Sequence, residues 1–180
     1  MKRCSWLDEK YEIYVKYHDE EWGVPVFDDK KLFEMLILES FQAGLSWITV
    51  LKKREAFRKA FDSFDVKKVA NYDEEKINNL LQNRDIIRSR GKINAAILNA
   101  NVFIKIQKEF GSFSKYIWSF TDGKIIKNKD DNFQVSTPLS DKISKDLKKR
   151  GMKYVGTVIV YSYLQAIGVV NDHETKCFKY

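Results

Sequence analysis

The strongest metal-binding chemistry in this sequence lies at its two ends. The chain contains two histidines and two cysteines. They are Cys4, His18, His173 and Cys177. The last two are four residues apart, which places them on one helical face. Thiolate and imidazole are ligands that zinc favours, and four of them close a tetrahedral site. The sequence therefore predicts a structural zinc site joining the terminal segments, with four unrelated residues as the alternative.

A carboxylate, Glu39, follows the apolar run Met35–Leu38. A glutamate there is expected to be partly buried, and a buried carboxylate needs a partner or a chemical task. Trp47 lies just beyond a predicted turn at Gly44, so the two side chains are able to converge on one pocket. The alternative is a surface glutamate and an ordinary core tryptophan.

Aromatic residues surround His18 in the sequence. Tyr14 and Tyr17 are spaced for one face of a helix, and Trp22 follows within residues 20–23. Such residues most often belong to a core. The alternative is a pocket that stacks a flat ligand between rings and reads its edge with one carboxylate, as in enzymes that act on an extruded base.

Two basic stretches contain a glycine, at residues 84–92 and 148–151. The first lies between helical patterns, so a turn there exposes backbone N–H groups and a helix N-terminus, which suit phosphate. The alternative for both is a solvated loop with ordinary surface charge. The net charge of +7 favours a polyanionic partner but does not identify one.

Helical patterns predominate in the elements that must position these residues. From Asp29 to Ala60 the pattern is helical with one break, at residues 42–46, where Gly44 suits a helix end and Ser46 the next N-cap. A long helical stretch carries apolar residues from Ile93 to Ile104 on one face. Other helices are predicted at Val66–Ala70 and Glu74–Leu81, capped by Asp65 and Asp73, after Ser112, and from Ser140 to Gly151.

The remaining segments lead to an all-α class. Residues 121–138 are polar and patternless and are predicted to form a long loop. Residues 155–170 are rich in β-branched side chains, but their length favours a buried helix. We expect a single helical domain over residues 1–180, in two lobes, with segments 1–28 and 155–180 meeting at the zinc site.

The cellular location is predicted from targeting and membrane-spanning features that the sequence lacks. No apolar run approaches the roughly 18 residues that a membrane span needs. The first residues lack the apolar stretch of a signal peptide, and two cysteines are too few for a disulfide framework. A cytoplasmic protein with no membrane partner is therefore expected.

The order of these motifs resembles the 3-methyladenine-DNA glycosylase I family of the helix-hairpin-helix superfamily. The resemblance extends over nearly the whole chain. The matching segments are 3–6 (RCSW), 17–19 (YHD), 21–25 (EWGVP), 31–35 (KLFEM), 42–53 (QAGLSWITVLKK), 86–93 (IIRSRGKI), 118–120 (WSF), 147–156 (LKKRGMKYVG), and 171–173 with Cys177. Ser40 departs from the glycine that some members carry, and position 41 also varies.

The resemblance implies a role for each candidate residue. It makes Cys4, His18, His173 and Cys177 the ligands of a structural zinc ion. It implies a base pocket in which Glu39 is the catalytic carboxylate and Tyr14, Tyr17, Trp47 and Ser162 are further lining residues. It directs Gln42 and Leu45 to the gap left in the duplex, and assigns the DNA backbone to Arg88, Arg90, Gly91 and Lys92.

The implied activity is excision of 3-methyladenine from alkylated double-stranded DNA by base flipping, with the free base as product and an abasic site left behind. The methylated base is cationic, so its bond to the sugar is already weak. Glu39 is expected to accept a hydrogen bond from the exocyclic amine. No lysine stands beside residues 39–47, so a Schiff-base lyase is not expected. One lesion needs one pocket, which favours a monomer.

Two other functions account for only part of the pattern. A non-enzymatic, zinc-clipped DNA-binding module explains the charge and the metal ligands, but it leaves Glu39 and Trp47 without a task. A zinc deaminase would need a Cys-x-x-Cys pair, which the sequence lacks. The glycosylase is the function that accounts for both sets of residues.

Overall fold

The computed structural model describes residues 1–127, 129, 131–132 and 134–180, and most of these are helical. The helices are α1 (Glu12–Glu20), α2 (Asp29–Gln42), α3 (Trp47–Ala60), α4 (Val66–Ala70), α5 (Glu74–Gln82), α6 (Arg90–Phe110), α7 (Phe113–Ser119), α8 (Pro138–Lys149) and α9 (Thr157–Ala166). A short 3₁₀ turn covers Asp62–Phe64. Two strands of two residues each, β1 (Ile126–Lys127) and β2 (Val170–Asn171), pair in parallel.

Helix α2 is the central element of the core. It packs against α3, α6, α7 and α9. Every residue from Leu32 to Phe41 is buried, as expected for a helix that is covered on all sides. Glu39 is therefore buried by its position on this helix, three residues before the helix ends at Gln42.

The predicted helix–turn–helix over residues 29–60 is confirmed. Helix α2 ends at Gln42, and α3 begins at Trp47 with Ser46 as its N-cap residue. Gly44 has a φ of +81°, the left-handed conformation that glycine adopts without strain. The caps predicted at Asp65, Asp73 and Ser112 are also confirmed, since each side chain accepts a backbone N–H of the helix it precedes.

Two predicted boundaries are wrong. Helix α8 starts at Pro138 with Thr137 as its N-cap, and Ser140 is the third residue of the helix, where its hydroxyl completes a capping box. The apolar segment 155–170 is not one helix, because α9 ends at Ala166 and the chain then forms strand β2. The predicted loop at residues 121–138 contains strand β1, and residues 128, 130 and 133 of that loop lie outside the described residues.

The terminal segments of the chain lie against each other. The Gly23 N–H donates to the carbonyl of Gln165, and the Val26 N–H donates to that of Ile167. Further out, the Phe178 N–H donates to the Lys2 carbonyl. These bonds hold the N-terminal segment along the end of α9. In the described part of the chain, no helix is both long and apolar enough to cross a membrane.

Candidate functional site

A cavity of about 210 Å³ opens between the N-terminal segment, α2, α3 and α9. Its walls are largely aromatic, with polar groups on the α2 and α9 sides. The lining residues are Trp6, Tyr14, Tyr17, Trp22, Glu39, Gln42, Trp47, Ser162 and Gln165. The five residues predicted to form a base pocket thus lie around one cavity.

Two polar atoms of this cavity are buried without a hydrogen-bond partner among the described residues. They are Oε2 of Glu39 and Nε1 of Trp47. Glu39 is only 2% exposed, and this burial raises the pKa of its carboxyl to about 8. Buried polar groups are nearly always paired, so an orphaned acceptor and donor in one cavity indicate a ligand that pairs with them.

The aromatic walls are arranged at ring-contact distances. The Tyr17 and Trp47 rings lie 5.4 Å apart between centroids, and Trp6 lies 5.4 Å from Tyr14 and 4.8 Å from Trp22. Tyr17 is buried, and burial followed by the nearby Glu39 raises the pKa of its phenol well above its usual value. The phenol is therefore neutral, and the cavity offers rings for stacking without a fixed charge on either tyrosine.

Helix α9 contributes Ser162 and Gln165 to the opposite wall. The Nε2 of Gln165 donates to Oδ2 of Asp172 at 2.7 Å. The Tyr161 hydroxyl donates to the same carboxylate oxygen. Asp172 precedes His173, so these bonds connect the pocket wall directly to the C-terminal part of the metal-ligand cluster.

The four predicted metal ligands form one buried cluster, although His173 and Cys177 lie in an irregular segment with turns and not on the helical face that their spacing predicted. The possible ligand atoms of Cys4, His18, His173 and Cys177 all lie within 4.8 Å of one another. Nδ1 of His173 is 3.4 Å from the Cys4 sulfur and 3.5 Å from that of Cys177. Nε2 of His18 is 3.6 Å from the Cys177 sulfur. In the sequence, His173 and Cys177 lie more than 150 residues after Cys4 and His18.

In each imidazole, the nitrogen that faces away from the cysteines has a hydrogen-bond partner, as is usual for histidines that bind a metal. Nδ1 of His18 lies 2.7 Å from a carboxylate oxygen of Asp19, and Nε2 of His173 lies 3.0 Å from the Trp22 carbonyl. Donation at those atoms leaves the other nitrogen of each ring as a lone pair facing the cysteines. Arg3 fixes Asp19 in turn through its guanidinium. The donor set and its surroundings thus fit a tetrahedral zinc ion.

The residues predicted to meet DNA lie in different environments. Leu45 is 40% exposed on the turn after α2, whereas Gln42 lines the cavity. Arg88 and Gly91 are exposed beside the N-terminus of α6.

The two other predicted DNA-binding side chains are engaged within the protein. Arg90 is paired with Glu74 and donates to Asn78. The ammonium of Lys92 donates to the carbonyls of Phe41 and Ala43.

Two cavity residues had no role assigned from the sequence, Trp6 and Gln165, whereas Trp22 is among the aromatics around His18 for which the sequence left a core or a pocket open. Trp6 and Trp22 lie in segments without a helical pattern, next to Cys4 and His18, and the metal-ligand cluster brings them to the cavity. Their closeness to Cys4 and His18 in the sequence could have indicated this, because a site that joins distant segments also brings together the aromatic residues near its ligands. Gln165 carried no signal, because one amide on an apolar helix has no characteristic spacing.

The chain matches known proteins over nearly its whole length. A family model described as methyladenine glycosylase matches residues 6–180. DNA-3-methyladenine glycosylase 1 of Escherichia coli (strain K12) is 49% identical, covering 100% of this chain and 97% of the relative. A crystal structure of 3-methyladenine DNA glycosylase I superposes with a TM-score of 0.94 at 50% identity, covering 98% of each chain.

A second solved structure shows a relative with its ligand. It is a variant of 3-methyladenine DNA glycosylase I in complex with 3-methyladenine, 37% identical, with a TM-score of 0.95 over 99% of this chain and 97% of that one. The fold is that of a DNA glycosylase. The chain belongs to the methyladenine glycosylase family.

Proposed function

We propose that this protein hydrolyses the N-glycosidic bond of 3-methyladenine in alkylated double-stranded DNA, releases the free base and leaves an abasic site. The observation that carries this proposal is the pair of unpartnered buried atoms, Glu39 Oε2 and Trp47 Nε1, in one aromatic cavity. A flat base stacks on the rings and presents a polar edge to both atoms. The ligand-bound relative supports the same choice of base.

The chemistry follows from the charge of the lesion. 3-Methyladenine in DNA is cationic, and cleavage of its bond to the sugar returns the electron pair to the base, which leaves neutral, while water attacks the sugar. Only interactions that strengthen in the transition state accelerate this step. Burial raises the pKa of Glu39 to about 8, so below that pH its carboxyl is mostly neutral before a base is bound. Its oxygen accepts a hydrogen bond from the exocyclic amine.

The residues that line the cavity also favour hydrolysis without a lyase step. Among the described residues that line it, none is lysine. A Schiff-base intermediate requires an amine at the sugar carbon. We therefore expect no covalent trapping on abasic DNA by borohydride, and a trapped complex would contradict a monofunctional enzyme.

The test of the activity is release of 3-methyladenine from alkylated duplex DNA by wild-type protein and Glu39→Gln. Wild type should release the base, and the variant should be slower by roughly 10- to 100-fold, the effect of losing one hydrogen bond to a charged partner, because its amide places an N–H donor opposite the exocyclic amine of the cationic base. Glu34→Gln is the matched control, because Glu34 is a buried glutamate on the same helix that pairs with Arg58 away from the cavity.

Each outcome of that experiment has a distinct meaning. Glu34→Gln should keep its activity while losing some stability. If folded wild-type protein binds DNA but releases no base, a non-enzymatic DNA-binding module becomes the better description. If both glutamate variants lose activity equally, the loss reports general damage to α2 and the role of Glu39 is wrong.

We also propose that Cys4, His18, His173 and Cys177 hold one structural zinc ion. The argument is the donor set and the two prearranged imidazoles described above. Four protein ligands leave no open position, so the metal would supply cross-linking of the two ends of the chain and no catalytic water. Its contribution to the pocket is indirect, through the placement of Trp6 and Trp22.

The DNA surface is proposed to be a helix-hairpin-helix formed by α5, the connection at residues 83–89 and α6. Ser89 caps α6 with its hydroxyl, and Arg88 and Gly91 are exposed beside that N-terminus, which favours phosphate. Leu45, exposed on the turn that precedes α3, is proposed to fill the gap left by the flipped base. One cavity on one domain serves one lesion, so we propose that the protein acts as a monomer, in the cytoplasm.

A further inference from the structure

One lysine of the proposed hairpin is directed into the protein. The Nζ of Lys92 lies 2.9 Å from the Phe41 carbonyl oxygen and 2.6 Å from that of Ala43. These carbonyls belong to the last turn of α2 and to the residue after it, where a helix leaves its carbonyls without intrahelical partners. A cation also suits the negative end of the helix dipole. Lys92 therefore caps α2 from a different helix.

The segment that Lys92 holds is the turn between α2 and α3, residues 43–46, here called the wedge turn. Its backbone is defined by few interactions of its own. The Leu45 N–H donates to the Gln42 carbonyl, and Gly44 makes the left-handed bend with no heavy atom within 4 Å of where its Cβ would be. Ser46 provides no side-chain cap to α3, although its hydroxyl lies 2.8 Å from that of Thr49 and its carbonyl accepts from the Thr49 N–H. The Lys92 ammonium is thus a principal constraint on where this turn begins.

A second lysine makes the reciprocal connection. Lys53, on α3, directs its Nζ to the carbonyls of Arg84 and Asp85 at 3.4 and 3.2 Å. Those carbonyls lie in the connection at residues 83–89. The hairpin is consequently linked to the end of α2 through Lys92 and to α3 through Lys53, with the shorter and more buried contacts made by Lys92.

We infer that Lys92 is a positioning residue that fixes the wedge turn relative to the hairpin, and that it does not contact phosphate. The inference rests on the proposed function, since the turn matters only if a base is extruded from DNA. When the hairpin binds the DNA backbone, the Lys92 ammonium fixes the distance between the bound phosphates and Leu45. Lys92 then acts on insertion into the duplex and leaves recognition of the base to the cavity.

The experiment compares Lys92→Met, Lys53→Met and Arg88→Met with wild type in three measurements. These are single-turnover excision of 3-methyladenine from duplex DNA, the salt dependence of duplex binding, and affinity for free 3-methyladenine followed by tryptophan fluorescence. Lys92→Met should excise at least about tenfold more slowly, with free-base affinity within about twofold of wild type. Its salt slope should stay unchanged, whereas Arg88→Met should lose about one unit of slope.

The controls separate the alternatives. Lys53→Met removes the same charge from longer contacts and should have the smaller effect on excision. Lys92→Gln retains one donor and should be intermediate, which provides the test if Lys92→Met does not fold. A reduced salt slope in Lys92→Met would mean a phosphate contact, and equal losses of excision and free-base affinity would mean an effect through Glu39. Either result, or unchanged excision, overturns the inference, whereas wild type that releases no base overturns the proposed function itself.

Discussion

Glu39 is a carboxyl group that the fold buries without giving its Oε2 a hydrogen-bond partner among the described residues. The burial follows from its place on α2, whose neighbours cover every side from Leu32 to Phe41. Glu34, on the same helix, is also buried but is paired with Arg58 at 2.7 Å. The contrast indicates that the unpaired oxygen of Glu39 is a feature of the cavity and not of buried glutamates on this helix.

This burial predicts a pH-dependent difference in stability between wild type and Glu39→Gln. The pKa of Glu39 rises from its ordinary 4.5 to about 8 in the folded protein. Below pH 4.5 the Glu39 carboxyl is mostly protonated in both the folded and the unfolded protein. Between pH 4.5 and about pH 8 it ionises only in the unfolded protein, which lowers the free energy of unfolding progressively. The free energy of unfolding of wild type should fall relative to the variant by on the order of 4 kcal/mol across that range.

Urea unfolding of both proteins at pH 5 and pH 8.5, without ligand, measures this difference. All other titrating groups are common to the two proteins, so their contributions cancel. Glu39→Gln should be the more stable protein at pH 8.5, by much more than at pH 5. An equal difference at both pH values would mean that Glu39 is not buried as described.

At the residue scale, the sequence was informative where a residue type is rare or out of place. Cys4, His18, His173 and Cys177 could be grouped because the chain has so few ligands of this kind, and the cluster they form is observed. The inward direction of Lys92 could not be foreseen. A lysine in a basic stretch looks the same in sequence whether it faces solvent or the end of a neighbouring helix.

At the scale of elements, helices were predictable where local signals agreed. The aspartate caps and the break at Gly44 are local, so α2, α3, α4 and α5 were found at or within one residue of their ends. The start of α8 was misplaced because Thr137 and Ser140 are both good caps, and only Pro138 at the first helical position separates them. The end of α9 was misplaced because the chain leaves the helix for a tertiary reason.

That reason is the contact between Gly168 and the N-terminal segment. Gly168 has a φ of +70°, and a Cβ there would lie 2.2 Å from the carbonyl carbon of Val24 and 2.4 Å from the nitrogen of Pro25. No side chain fits between these two backbones. The helix pattern of residues 155–170 gives no sign of this, because it depends on a segment more than 140 residues earlier.

Gly168→Ala is therefore expected to be strongly destabilising. Gly123→Ala is the matched control, because Gly123 has a φ of +73° but no heavy atom within 4 Å of the added Cβ. The left-handed conformation alone should cost about 1 to 2 kcal/mol in each variant. Gly168→Ala should cost at least about 2 kcal/mol more, in the range of severe backbone disruption. Chemical unfolding measures both, and equal losses would rule out the close approach.

At the scale of the whole molecule, the metal-ligand cluster and the terminal backbone bonds join the two ends of the chain. If the cluster holds zinc, a metal present at about 1,000 times its dissociation constant contributes about 4 kcal/mol to stability. For a chain of this size that corresponds to an unfolding temperature about 8 to 16 °C higher. Chelation should therefore lower Tm by that amount and weaken binding of free 3-methyladenine.

Metal analysis of the purified protein should give one zinc per chain. Cobalt in its place should produce the visible absorption of a tetrahedral site, and this absorption should be weaker in Cys177→Ser. A protein that contains no metal and whose Tm does not respond to chelator would mean that the four residues are a thiol–imidazole cluster without an ion.

The joining of the two ends also has a consequence for how the protein is made. Four residues of the pocket wall are translated at least 150 residues before His173 and Cys177, which anchor their segment: Trp6, Tyr14, Tyr17 and Trp22. Until they emerge, the nascent chain has one wall of its pocket without the partner that fixes it. We expect the ability to bind the base to be acquired only after translation of Cys177.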